Sequence, residues 1–102
     1  MKALVIIPTY NEVENISRLL GILLADNPAL EVLVLDDNSP DGTAQAVKSM
    51  MESEARIHLI ERPRKMGLGS AYVTGFKYAL ANGFDYIMEM DADFSHNPAD
   101  VP

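Results

Sequence analysis

The chain contains no cysteine, which excludes disulfides and thiolate metal sites, so nothing ties it to an oxidising compartment. Basic residues are scarce: Lys and Arg total 8 against 15 Asp and Glu, a formal charge of −7. That balance disfavours a nucleic-acid backbone as partner, although a bound cation can still bring an anionic ligand to an acidic protein. No apolar run reaches the length of a membrane span, and the N-terminus enters a strand-like segment directly rather than a signal peptide. Internal repeats, low-complexity tracts and linkers are also missing. What is present is ordinary for a folded chain, with 48% hydrophobic and 23% charged residues. A length of 102 residues allows at most one domain. The closing stretch His96-Asn97-Pro98-Ala99-Asp100-Val101-Pro102 reads as the opening of a helix. Residues 1–102 are therefore expected to be the N-terminal portion of a larger domain.

Four short β-like runs alternate with helical patterns. Ala3-Leu4-Val5-Ile6-Ile7 is continuous, branched and apolar, the mark of a strand buried on both faces. Asn11 with Glu14 resembles a capping box ahead of Ile16, Leu19, Leu20, Leu23 and Leu24, which form one helical stripe that Asn27-Pro28 ends. Glu31 to Leu35 reads as the second strand. A helix from Thr43 to about Ser53 follows, with Ala46, Val47, Met50 and Met51 inward, and then a third strand from Ile57 to Ile60. The next helix runs through Ala71, Tyr72, Phe76, Ala79 and Leu80 to Asn82-Gly83, and Tyr86 to Met90 makes the fourth strand. Strands alternating with helices predict an α/β fold with a mostly parallel sheet. In such a sheet ligands sit outside the carboxyl ends of the strands, and the unusual polar residues all fall there.

The last of these loops is the most informative. Asp91-Ala92-Asp93 places two carboxylates just past a strand, where oxygen ligands suit Mg²⁺ or Mn²⁺ held against a diphosphate. A solvated acidic turn is the plainer reading of that triplet. Pro8-Thr9-Tyr10-Asn11-Glu12 is either a strand end with a helix cap or a nucleobase platform, with the Tyr10 ring beside the Glu12 carboxylate. Asp36-Asp37 opens a turn-forming run, but two adjacent carboxylates repel unless a cation or donor relieves them. Leu35 and Asp37 could there cradle a base edge. Arg62, Arg64 and Lys65 form the one dense basic cluster, either solvated or set to attract a phosphorylated substrate. Gly67-Leu68-Gly69 is not a dinucleotide fingerprint, because Tyr72 stands where the third glycine belongs. His58 reads as a packed strand residue, and His96 carries no assigned role.

Taken in order, Pro8-Thr9-Tyr10-Asn11-Glu12, Leu35-Asp36-Asp37-Asn38-Ser39-Pro40-Asp41-Gly42-Thr43, Gly67-Leu68-Gly69-Ser70-Ala71-Tyr72 and Met90-Asp91-Ala92-Asp93-Phe94-Ser95-His96-Asn97-Pro98 resemble the inverting GT-A glycosyltransferases of family 2. The similarity is strongest to the dolichol-phosphate (polyprenol-phosphate) mannosyltransferases. The resemblance implies a Rossmann-like GT-A nucleotide-binding half and transfer of mannose from GDP-mannose to a polyprenol phosphate with inversion. It implies that Pro8, Tyr10, Glu12, Leu35 and Asp37 line a guanosine pocket and that Asp91, Ala92 and Asp93 meet the sugar diphosphate. Asp91 and Asp93 become the catalytic carboxylates and, with Ser95, the ligands of Mg²⁺ or Mn²⁺; some relatives carry glutamine at the Ser95 position. A lipid-phosphate acceptor is already anionic, so the demanding event is charge building on the leaving nucleotide diphosphate, which a metal would stabilise. Arg62, Arg64 and Lys65 are then expected to position the acceptor phosphate. The resemblance further implies peripheral contact with a membrane, at its cytoplasmic face, no nucleic-acid partner, and low turnover by residues 1–102 alone.

Two rivals remain at this level. One is a family 2 transferase using UDP-glucose or another nucleotide sugar. The other is a receiver-like signalling domain, also parallel α/β with Mg²⁺-binding acids at strand ends. Against the second, the acid pair follows strand two rather than strand one, and the usual downstream lysine is missing.

Overall fold

The structure, a computed structural model, describes residues 2–92. Seven elements alternate strictly: β1 (Ala3–Thr9), α1 (Val13–Asp26), β2 (Leu30–Asp36), α2 (Thr43–Met51), β3 (Ile57–Glu61), α3 (Leu68–Ala81) and β4 (Tyr86–Glu89). The four strands form one sheet in the order β3-β2-β1-β4, and every pairing is parallel. The two apolar strands, β1 and β2, occupy the centre because both of their faces must be covered.

Strand alternation divides the core into two layers. Val5, Ile7, Val32 and Val34 point to one face, where Ile16, Leu19, Leu20 and Leu23 of α1 and Val47 of α2 meet them. Leu4, Ile6, Leu33 and Leu35 point to the other, under α3 with Ala79 and the following Phe84. The predicted α1 stripe is buried throughout.

Three local expectations need correction. Asn11 does not cap α1 with its side chain; its backbone is left-handed at φ 56°, and the N-cap position falls on Glu12 with no side-chain capping bond. Met51 lies exposed at the end of α2, while Ala44 takes a buried place. In α3 the inward stripe is Ala71, Gly75 and Ala79, leaving Phe76 and Leu80 exposed. Small residues win there because the helix lies so close to β1 that a Cβ on Gly75 would sit 2.7 Å from Ile6 Cδ1 and Cγ2.

Candidate functional site

The chain steps outward from β1 to β2 to β3 and then returns to the opposite side of β1 as β4. That reversal opens a crevice at the carboxyl ends of β1 and β4, the place where open α/β sheets bind ligands. Beside it lies an open cleft of about 190 Å³ lined by Pro8, Thr9, Tyr10, Glu12, Asp37, Lys65, Gly67, Leu68 and Ala71. It is smaller than the roughly 300–1,000 Å³ of a complete small-molecule site and has room for a single ring system. Pro8, Tyr10, Glu12 and Asp37 thus come together from two strand ends. Leu35 does not join them. Alternation along β2 turns its fully buried side chain into the layer under α3.

The same alternation separates Asp36 and Asp37. Asp36 Oδ1 accepts from the Thr9 hydroxyl at 2.7 Å and the Ser39 hydroxyl at 2.6 Å, while its Oδ2 accepts from the Ser39 N–H at 3.0 Å. Asp37 meets Arg62 instead: Nε donates to Oδ1 at 2.6 Å and Nη2 to Oδ2 at 2.8 Å, both residues being buried. Neutral donors thus relieve Asp36, and the Arg62 guanidinium, a cation as well as a donor, relieves Asp37.

Arg62 therefore leaves the basic cluster, which the structure breaks up. Its guanidinium also donates to Ser70 Oγ at 2.9 Å, so it stands away from solvent rather than waiting for an acceptor phosphate. Lys65 reaches across the cleft, with Nζ 4.9 Å from the centre of the Tyr10 ring, in a cation–π contact. Arg64 is exposed.

The polar run after β2 is a brace as well as a turn. Ser39 Oγ, Thr43 Oγ1 and Asp41 Oδ2 accept from the N–H groups of Asn11, Glu12 and Val13 at 2.9, 3.0 and 3.1 Å. The last two are orphan donors at the start of α1, so this loop supplies the cap that Asn11 does not. Tyr10 and Glu12 owe their placement beside the cleft to that cross-loop lacing.

At the end of β4, Met90 donates its N–H to Ile6 O at 3.0 Å, and Ala92 is buried against the α1 side of the sheet. Asp91 lies close enough to the Tyr72 phenol for its charge to act on it. Burial first, then the charges of Asp91 and Glu89, push that phenol up to about 12. Asp93 and Ser95 lie outside the described residues. Among the described residues no group of three or more His, Cys, Asp or Glu could hold a metal. His58 is packed as expected, 2.7 Å from Glu31 Oε1 and against the Tyr78 ring.

Sequence reasoning missed the Arg62–Asp37 pair, the Tyr72–Asp91 proximity and the Thr9 bond to Asp36. The available signal was placement: all six residues stand at the carboxyl edge of the sheet or in the first turns of α3.

Fold and cleft together define a Rossmann-like α/β protein with an aromatic and acidic site at its topological switch point. More narrowly, the chain belongs to glycosyl transferase family 2, whose family model matches residues 4–102. It is 45% identical over 102 residues to an undecaprenyl-phosphate mannosyltransferase of Micrococcus luteus, covering 100% of this chain and 42% of the relative. It is likewise 45% identical over 101 residues to a polyprenol monophosphomannose synthase of Mycolicibacterium smegmatis, covering 98% of the chain and 38% of that protein. The chain thus spans about two fifths of the length of these curated relatives. Among solved structures it resembles the mannosyltransferase PcManGT from Pyrobaculum calidifontis in complex with GDP-Man and Mn²⁺. The TM-score is 0.80 at 31% identity, over 90% of this chain and 27% of the other. S. aureus TarS 1-349 in complex with UDP follows at 0.78 and 29%, over 91% and 28%. The fold is accordingly the GT-A nucleotide-binding half expected from sequence.

Proposed function

We propose that residues 1–102 form the donor-binding part of a polyprenol-phosphate mannosyltransferase that moves mannose from GDP-mannose to a lipid phosphate with inversion. The observation that carries this reading is the cleft, where Tyr10, Glu12 and Asp37 gather at the carboxyl edge of the sheet onto which β4 also leads, two residues before Asp91. An aromatic face with flanking carboxylates suits a base that stacks and donates N–H groups. The relatives' names supply the sugar and the lipid class.

A divalent cation fits the donor set. Asp91 offers hard carboxylate oxygen, and one or two carboxylates completed by substrate phosphates are the usual arrangement for Mg²⁺ or Mn²⁺. Asp91 and Asp93, with Ser95, would hold it. The Mn²⁺ in the P. calidifontis structure favours that ion. When bound, such an ion offsets the charge that builds on the departing nucleotide diphosphate. We assign the acceptor phosphate to Arg64, an exposed basic residue of the loop after β3, and the reaction to the cytoplasmic face of a membrane, where a lipid acceptor would be met.

The UDP complex of TarS makes uridine the competing base. Calorimetry on the intact protein with GDP and UDP, each with Mn²⁺, with Mg²⁺ and without metal, decides between them. We expect metal-dependent GDP binding about tenfold or more tighter than UDP. Tighter UDP binding would transfer the assignment to a UDP-sugar donor, and indifference to both nucleotides would end it. Transfer of labelled mannose from GDP-mannose to a polyprenol phosphate then tests the acceptor.

A further inference from the structure

Asp37 enters the cleft with most of its hydrogen-bonding capacity already used. A carboxylate offers about four lone-pair positions. Arg62 Nε fills one on Oδ1, while Arg62 Nη2 and the Met66 N–H (3.2 Å) fill two on Oδ2. The guanidinium cannot swing away, because Ser70 Oγ accepts from Nη1 at 2.9 Å and the Arg62 N–H donates to Asp36 O at 2.8 Å. A fork–fork pair of this kind fixes the plane of the carboxylate as well as its charge. We infer that Arg62 is a positioning residue for base recognition: it holds Asp37 so that one acceptor position, on Oδ1, is left for an N–H of the nucleobase.

This inference rests on the nucleotide-binding reading above and deepens it. It also replaces the acceptor-phosphate role expected of Arg62 from sequence. A buried pair placed only for stability would need no opening toward a cleft, yet Asp37 lines one. The neighbouring residues agree with a positioning role. Arg62 ties the end of β2, the loop after β3 and the start of α3 into one unit, and those three segments supply Asp37, Lys65, Gly67, Leu68 and Ala71 to the lining of the cleft.

The test compares a ligand that has a base with one that lacks it. Binding of GDP and of inorganic pyrophosphate, both with Mn²⁺, is measured by calorimetry on the intact protein and its Arg62→Met, Arg62→Lys, Asp37→Asn and Asp37→Asn/Arg62→Met variants. Arg62→Met is expected to weaken GDP by about tenfold or more while pyrophosphate stays within about twofold. Arg62→Lys, which keeps the charge but not the planar fork, should fall between. In the Asp37→Asn background the Arg62→Met change should cost little more, because the two act through one carboxylate.

Unchanged GDP affinity in both Arg62 variants would overturn the inference. So would equal losses of GDP and pyrophosphate in folded variants, which would show that Arg62 does not act through the base. An undiminished Arg62→Met effect in the Asp37→Asn background would show Arg62 acting on the base directly, and would overturn it as well. Should Arg62→Met fail to fold, Arg62→Lys and the cycle built on it carry the same comparison. Failure of the nucleotide reading itself is told apart at once, since the unsubstituted protein would then bind neither GDP nor UDP.

Discussion

Asp41 shows how much of this site rests on a residue that never reaches the cleft. Its carboxylate accepts from the Val13 N–H at 3.1 Å, the Thr43 N–H at 3.0 Å and the Thr43 hydroxyl at 2.5 Å, joining two helix starts. Desolvation opposes its charge, but the Thr43 hydroxyl and the Val13 and Thr43 amides outweigh that and hold the carboxyl below its ordinary value of 3.8. A lowered folded-state value means the folded chain binds this proton less readily than the unfolded one. The stabilisation is therefore complete above 3.8 and disappears as pH falls through the lower folded value. Asp41→Ala should lower the melting temperature at pH 7 by a few degrees and flatten its fall below about pH 4. Melting curves from pH 2 to pH 7 check this, and an equally steep acid limb in the variant would remove Asp41 as the titrating group. In the sequence this stretch was legible as a turn, because Asn, Ser, Pro, Asp and Gly crowd it. Its service to α1 was not, since the bonded partners stand 28 residues apart in Asp41 and Val13 and again in Ser39 and Asn11. Likewise Asp36-Asp37 stood out as a pair needing relief, but nothing local pointed to Arg62, 25 residues onward from Asp37.

At the level of elements, legibility followed the size of the buried side chains. The α1 stripe of Ile and Leu announces its inward face, and all five of those residues are buried. Helix α3 hides its own, because Ala71, Gly75 and Ala79 carry little hydrophobic signal while Phe76 and Leu80 carry much and lie exposed. The deciding quantity is the distance between α3 and β1, which pattern reasoning cannot supply. Gly75→Ala tests it. On helix propensity alone alanine should gain about 1 kcal/mol. Against that, the new Cβ would lie 2.7 Å from Ile6 Cδ1 and Cγ2 and 3.0 Å from Cγ1, on a fully buried, β-branched neighbour with little room to turn. Overpacking of that kind costs about 1–3 kcal/mol. We expect a net loss, read as a lower denaturant midpoint at unchanged m-value. A gain in stability would mean that α3 stands further from the sheet than the structure places it. Because α3 begins at the cleft with Leu68 and Ala71, the same variant should also loosen nucleotide binding.

For the molecule as a whole, the sheet order matters more than any one motif. Parallel strands could be foreseen from the alternation of elements, and so could the gathering of polar loops on one edge. The position of the switch point could not, because it depends on β4 crossing to the far side of β1. That crossing divides the site between two supports. Tyr10, Glu12 and Asp37 are held by β1, β2 and the lacing between their loops, whereas Asp91 follows β4 by two residues, and β4 is an edge strand paired only with β1 among the described residues. The base and the diphosphate should therefore contribute separately to binding. A ligand in about hundredfold excess over its Kd stabilises the folded state by about 2.7 kcal/mol, which is several degrees in melting temperature. Asp91→Asn should abolish the metal-dependent part of the GDP shift and spare the smaller shift produced without metal. Tyr10→Ala should do the reverse, losing the metal-free shift while pyrophosphate with Mn²⁺ still protects. If either change removes both shifts while the unliganded protein melts normally, base and diphosphate share one rigid site, and the division set by the β1/β4 crossing is wrong.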